Sequence, residues 1–363
     1  MSDEFLEEEQ QRAATKTAKC PSCGAELVYD PATGKLKCPY CGTEEEIETK
    51  LSAEIDLDNL FIQRAHNWAT ETKAFRCVNC GAQTVISKKE ISKCCAYCGA
   101  SNIIESDEMS GMRPDAVLPF ILTKEDAGVR ATAWAKKKFF APRKFKQSLS
   151  PENINGNYNP AFTFDANAHC KYSGRLGKYY YETRTVNGKQ QQVRKIRYFN
   201  ISGLHDAFFD DVLIQASDKI EQKTLDKIQP FDTNFSQEFS PNFLYGFSAT
   251  QYSRDGKTCW NSAKNVMYAR AKNQILSKYT YDVVDRFEME IDFRNVTYKY
   301  VLLPLYIGHF SFKEKLYNFF VNGRNGNATG KVPISPVKVG IVVLAVLAVI
   351  GAIVAIYLLG GNS

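Results

Sequence analysis

Histidine is scarce in this chain. Its 363 residues hold four, His66, His169, His205 and His309, none paired at zinc-finger spacing and none in an H-E-x-x-H context. That sets aside histidine-ligated metal chemistry of both kinds. Catalytic signatures are missing too: there is no nucleophile elbow, no dinucleotide-binding glycine loop and no distinctive carboxylate pair. The nearest approach to a phosphate loop, Gly326-Asn-Ala-Thr-Gly330-Lys331-Val332, has three residues between its glycines and valine after the lysine. A phosphate loop needs four, then Ser or Thr. No engine for an ATP-driven activity is visible, no catalytic residue is predicted, and a non-enzymatic protein is expected. A basic, apolar secretory leader is also lacking; the chain opens MSDEFLEEEQQ, so the N-terminal bulk is expected to stay in the cytosol, where thiols are kept reduced.

A further absence is of charge. Residues 339–359, VGIVVLAVLAVIGAIVAIYLL, carry none. At ~1.5 Å per residue, twenty-one residues reach ~31 Å, the thickness of a bilayer's hydrocarbon core. A buried core helix would show a polar stripe, and this segment has none. A transmembrane helix is therefore expected over 337–359, with Lys331 and Lys338 on its cytosolic side. The small residues Ala348, Gly351, Ala352 and Ala355 offer a face for packing against another helix.

What is abundant is cysteine, eleven in all. Cys20 and Cys23 form one CxxC pair, Cys38 and Cys41 a second, with fourteen residues between them; the pattern recurs fifty-seven residues on as Cys77, Cys80, Cys95 and Cys98. Two occurrences of one spacing point to a repeated unit. Two thiolates three residues apart grip one side of a zinc ion at ~2.3 Å each, and a second such turn completes a tetrahedron. Gly24, Gly42, Gly81 and Gly99 follow the second cysteine of each pair, where a positive φ lets the turn close. A unit of this size cannot bury enough apolar surface to fold alone, and metal supplies the difference. Two structural Zn2+ ions are expected; iron in the same ligand sets stays open. A thioredoxin-like CxxC would need a βαβ context, and four thiolates leave no position for a catalytic water. Cys94 breaks the spacing, and Cys94, Cys170 and Cys259 are expected to be spare, small buried hydrophobes.

The predicted organisation is α+β: a β-hairpin zinc ribbon over 16–46, a helical linker over 47–73, a second ribbon over 74–104, a short linker over 105–115, a largely antiparallel α+β domain over 116–335, and the transmembrane helix. In the linker Leu57, Leu60, Phe61, Ala65 and Trp68 share one helical face behind Asp56 or Asp58. The large domain is expected to open with a strand from Val117, a helix capped by Thr123, and a hairpin around Asn187-Gly188. A helix is expected over 261–278 and strands over 283–292, 297–308 and 315–322. One basic cluster, Lys136-Lys-Lys-Phe-Phe-Ala-Pro-Arg-Lys-Phe-Lys146, suits nucleic acid, an anionic leaflet, or a solvated helix end. The net charge of +6 decides among none of these.

The tandem CxxCGA units, the VLPF at 117–120, YVLLPLY at 300–306, FVNGRNG at 320–326, GKVPIS at 330–335 and the terminal span resemble a family of bacterial double-zinc-ribbon membrane proteins. Members are often labelled after the primosomal helicase (replication factor Y) or transcription-factor-IIB-type ribbons. The resemblance carries over the eight cysteines as metal ligands and no catalytic residue. It implies a single-pass membrane scaffold that recruits cytosolic proteins of SPFH-domain or phage-shock type in envelope stress, without a small-molecule substrate. A membrane-tethered nucleic-acid-binding protein is the alternative, weakened by the acidic Glu44-Glu-Glu-Ile-Glu48 beside the first ribbon.

Overall fold

The computed structural model describes residues 19–61, 72–87, 95–101, 103–106, 112–147, 149, 151–186, 189–312 and 315–360. Its frame is three very long strands, Ile154–Val186, Lys189–Phe209 and Val283–Phe312. The first two are antiparallel from Lys189↔Val186 to Phe209↔Ala166, so the expected hairpin forms; Asn187 and Gly188 themselves lie outside the described residues. The third runs antiparallel to the first from Val283↔Gly177 to Gly308↔Ile154. Where a break between two strands was expected there is one strand with a register shift between Arg294 and Thr297, and Asn295 takes a left-handed φ of 48°. Asparagine tolerates that conformation, so the ladder bulges and resumes instead of ending.

Side chains on the first strand alternate faces, and Phe162, Phe164, Ala166, Ala168, Cys170 and Tyr172 all point to one buried side. That side is covered by helix Gly256–Leu276, whose Cys259, Ala263, Met267, Ala271 and Ile275 recur every four residues as one apolar stripe. The helix begins five residues before the sequence-based start because Asp255 caps it, accepting from the Thr258 N–H at 2.7 Å. Helix Lys124–Lys136 opens with the expected Thr123 cap, closed into a box by Asp126, and buries Ala127, Ala131 and Ala135 against Phe120, Phe145 and Phe319. The linker helix is described only as Asp58–Phe61, with Asp56 accepting from the Asp58 N–H; Ala65, His66 and Trp68 lie outside the described residues. Leu57 and Leu60 pack onto the core, while Phe61 is exposed.

The architecture is α+β, with, among the described residues, a three-stranded sheet in the first cysteine unit and a thirteen-stranded, mostly antiparallel sheet. Strand pairing crosses from the second cysteine unit into the body. Gln83–Ser87 pairs with Ser248–Thr250, which in turn runs parallel to the first long strand at Asn157 and Tyr158. The last helix, Pro336–Gly360, is apolar apart from Lys338 in its first turn, is long enough to cross a membrane, and buries none of Pro336–Val354.

Candidate metal centres

All four CxxC turns close by the same pair of backbone bonds. The N–H of the first cysteine reaches the carbonyl five residues on: Cys20 to Ala25, Cys38 to Thr43, Cys77 to Ala82 and Cys95 to Ala100, at 2.7 to 2.9 Å. The glycine N–H then returns to the first cysteine's carbonyl at 2.8 to 3.0 Å, with φ between 65° and 76°. Only glycine takes that φ without cost, which explains its place after the second cysteine. Each turn aims its two sulfurs to one side. The strands Val28–Asp30 and Lys35–Lys37, paired Tyr29↔Leu36, bring the first unit's two turns face to face.

The eight cysteines converge into two groups, Cys20, Cys23, Cys38 and Cys41, and Cys77, Cys80, Cys95 and Cys98, with the sulfurs of each group within 4.8 Å of one another. Cys20 and Cys41 Sγ are 3.3 Å apart, Cys23 and Cys38 3.5 Å, and in the second group Cys77–Cys98 and Cys80–Cys95 are both 3.6 Å. A disulfide would hold its sulfurs at ~2.05 Å. A tetrahedron of four sulfurs each ~2.3 Å from one ion has edges of ~3.8 Å, which these distances approach from below. An iron–sulfur cluster would need several atoms inside the cage; the space between these sulfurs suits one ion. Each group can thus hold a single metal ion, closed by four thiolates.

Their chemistry before metal enters is uneven. Burial raises the Cys20 thiol, but the Cys23 N–H, the Cys41 thiol, the Ser22 N–H and the Thr43 hydroxyl outweigh it and leave Cys20 lowered to about 6. Cys77 is likewise lowered to about 7, against burial, chiefly by the N–H groups of Cys80 and Asn79. Burial pushes Cys80 and Cys95 up. Metal entry must therefore expel protons held by the raised thiols.

The two centres differ in setting. In the first, Cys20 and Cys38 are buried while Cys23 and Cys41 are exposed, beside Ser22, Thr43 and the exposed Tyr40. This unit rests on the body through Tyr29, whose hydroxyl donates to the Phe120 carbonyl at 2.9 Å and whose ring meets Phe243 and Phe247 edge-on. In the second, Cys77 and Cys95 are buried and Cys80 and Cys98 half-buried. Body residues wrap it. Lys219 Nζ donates to the Cys80 carbonyl at 2.7 Å, Tyr97 and Thr250 hydroxyls bond at 2.7 Å, and Thr250 reaches Asn157. His309 lies over the Gly99 turn, so close that a Cβ there would stand 2.2 Å from its Nε2. No sequence pattern marks these supporting residues, which come from far along the chain.

The remaining candidates fall elsewhere. Cys170 on the first long strand and Cys259 on helix Gly256–Leu276 are both buried in the core between that strand and that helix, and burial pushes the Cys259 thiol up to about 12. Cys94 lies outside the described residues. His169 pairs with Asp206 at 2.6 Å and His205 with Gln274 at 2.9 Å, both on the long strands and away from the sulfurs.

Among the described residues this chain has two four-cysteine centres near its N-terminus and one apolar helix, long enough to span a membrane, near its C-terminus. It is 27% identical over 325 residues to an uncharacterized protein, YdjG, of Bacillus subtilis (strain 168), an alignment covering 88% of this chain and 91% of that one. No protein-family profile matches the chain, and no solved structure matches it.

Proposed function

We propose that this chain is a non-enzymatic, membrane-anchored adaptor in which two structural zinc ions brace the platform, the last helix holds it in the cell membrane with the body in the cytosol, and a projecting arm takes a protein partner. Zinc is favoured for both centres by the all-thiolate, four-coordinate cage without an open position. The cytosolic setting fits eight reduced thiols. The observation that carries the binding role is the arm. Beyond Gly177 the third long strand no longer pairs, and the residues 178–186 and 189–197 continue for ~30 Å as two strands alone.

Both faces of the arm are open. Tyr180, Tyr181, Val193 and Ile196 are exposed, Arg194 stacks over Tyr179 at 4.4 Å and Arg197 over Tyr180 at 5.2 Å; at the arm's base Tyr198 and Phe199 are exposed and Arg175 stacks over Tyr198 at 4.4 Å. Tyrosine and arginine are the side chains that most often anchor protein interfaces. A bare two-stranded ribbon is also marginal by itself, and a partner strand or surface would complete it. Cytosolic proteins of SPFH-domain or phage-shock type are the partners to test first, in keeping with a scaffold in envelope stress.

The arm's charge favours a second reading. It carries six cations, Lys178, Arg184, Lys189, Arg194, Lys195 and Arg197, against one carboxylate, Glu182. A two-stranded ribbon fits the DNA major groove, so a membrane-tethered nucleic-acid-binding protein is the alternative. One pair of measurements separates the two. Full-length protein in detergent, wild type and with 179–197 replaced by a tight turn, is used for affinity capture and for gel shifts over a salt series. Partner proteins lost with the arm support the adaptor; DNA binding that falls steeply with salt and is lost with the arm supports the alternative. Capture unchanged by arm removal contradicts the role assigned to it.

A further inference from the structure

The lysine before the apolar helix, Lys331, and the one in its first turn, Lys338, are both engaged elsewhere. Lys331 pairs with Glu221 at 2.8 Å, and Lys338 Nζ donates to the carbonyls of Phe139 and Ala141 at 3.0 and 2.7 Å. The Lys338 ammonium also sits 5.9 Å from the Phe139 ring, and the Ser335 N–H donates to the Phe140 carbonyl at 2.9 Å. These contacts pin a loop nearly two hundred residues earlier in the chain to the first turn of the helix. The loop is the basic cluster.

Placed there, its side chains divide by chemistry. Phe145 is buried in the core and anchors the segment. Phe139 and Phe140 are exposed, 65% and 41%, and meet each other edge-on at 5.2 Å. Lys137, Arg143 and Lys144 are exposed, and among the described residues none of the three has a carboxylate partner. Two bare aromatic rings at the root of an apolar helix, ringed by unpaired cations, match the composition of a membrane interface: rings at headgroup depth, cations among phosphates.

We infer that residues 137–144 form a collar that binds the anionic phospholipid headgroups of the leaflet in which the last helix is rooted. Lys137, Arg143 and Lys144 take the phosphates, and Phe139 and Phe140 sit among the glycerol and upper acyl groups. The collar rests on the reading of the last helix as a membrane span. It fixes the body's height and tilt above the bilayer, because the loop is bonded to the helix rather than hinged from it. It also places the cation-rich side of the span on the side of the body, the arrangement that the positive-inside tendency favours for a cytosolic domain.

The test uses the full-length chain, wild type and with Lys137→Gln, Arg143→Gln and Lys144→Gln combined. Each protein is offered an equimolar mixture of phosphatidylglycerol and phosphatidylcholine in mild detergent, and retained lipid is counted by native mass spectrometry. The same proteins are reconstituted into vesicles and washed with alkaline carbonate. A cation near an anionic surface is worth about a fivefold change, so three acting in full would give on the order of a hundredfold; wild type should retain phosphatidylglycerol over phosphatidylcholine by at least about tenfold, and the triple variant should fall near parity with its metal content unchanged. A chain that resists carbonate yet shows equal retention in wild type, or undiminished preference in the variant, overturns the collar and leaves the span standing. A chain washed off by carbonate overturns the span, and the collar with it.

Discussion

The two cysteine units share one cysteine spacing and are unequal members of the fold. They share four turns with one hydrogen-bonding pattern, yet the first forms its own three-stranded sheet and meets the body through side chains and one backbone bond, from the Tyr29 N–H to the Tyr245 carbonyl, while the second lends its strands to the thirteen-stranded sheet. The difference lies in what each hairpin edge meets. Val28–Asp30 meets the 3-10 turn Pro241–Leu244 and a wall of aromatic rings, whereas Gln83–Ser87 meets a strand, Ser248–Thr250, and pairs with it. One repeat is therefore a docked accessory and the other a structural part of the core. Losing metal from each should have different consequences.

The largest contrast is expected from the ligands themselves. Cys80→Ser should cost the whole body its cooperative unfolding, on the order of 5 kcal/mol or more, because metal-linked folding energies of ~10 to 16 kcal/mol for such units are here tied to the central sheet. Cys23→Ser should release one metal equivalent but shift the body's denaturant midpoint by less than about 2 kcal/mol. Metal analysis with urea unfolding of both variants checks this, and equal losses would erase the distinction between the units.

A smaller effect compares two glycines with the same backbone angle. Gly24 at φ 71° has nothing within 4 Å of where a Cβ would stand, while at Gly99, φ 70°, a Cβ would collide with the His309 ring. Gly24→Ala should cost ~1 to 2 kcal/mol from the left-handed backbone alone, and Gly99→Ala at least ~1 kcal/mol more from overpacking. Thermal unfolding of the pair reads the difference directly. Smallest is Tyr29→Phe, which removes one hydrogen bond to Phe120 and leaves the ring contacts. It should cost ~1 kcal/mol and raise the rate of metal loss from the first centre only.

How much of this was legible in the sequence follows the range of the interactions. The eight sulfurs and their glycines lie in local turns whose chemistry is written within six residues, so spacing alone located them. The Thr123 cap, the Asn187-Gly188 hairpin and the charge-free terminal helix are likewise local signals. What stayed hidden was long-range. The merging of the second unit into the body depends on Val85 meeting Ala249, and nothing in either strand names the other. His309 and Lys219 reach the second centre only through the folded sheet, and the basic loop reaches the last helix across nearly two hundred residues. The sequence shows two strands, 283–292 and 297–308, and the fold joins them through a bulge at Asn295 that only the pairing with the first long strand reveals.

The central claim is that each cage holds one metal ion and that only the second cage is built into the fold. The most direct test is to follow metal release from the purified full-length protein in detergent under a chelator, with near-UV circular dichroism recorded alongside. Two zinc equivalents per chain should leave in two phases, the first fast with the aromatic signal of the body nearly intact, the second slow and coincident with its loss. A single phase, or release of both ions without any change in that signal, would contradict it.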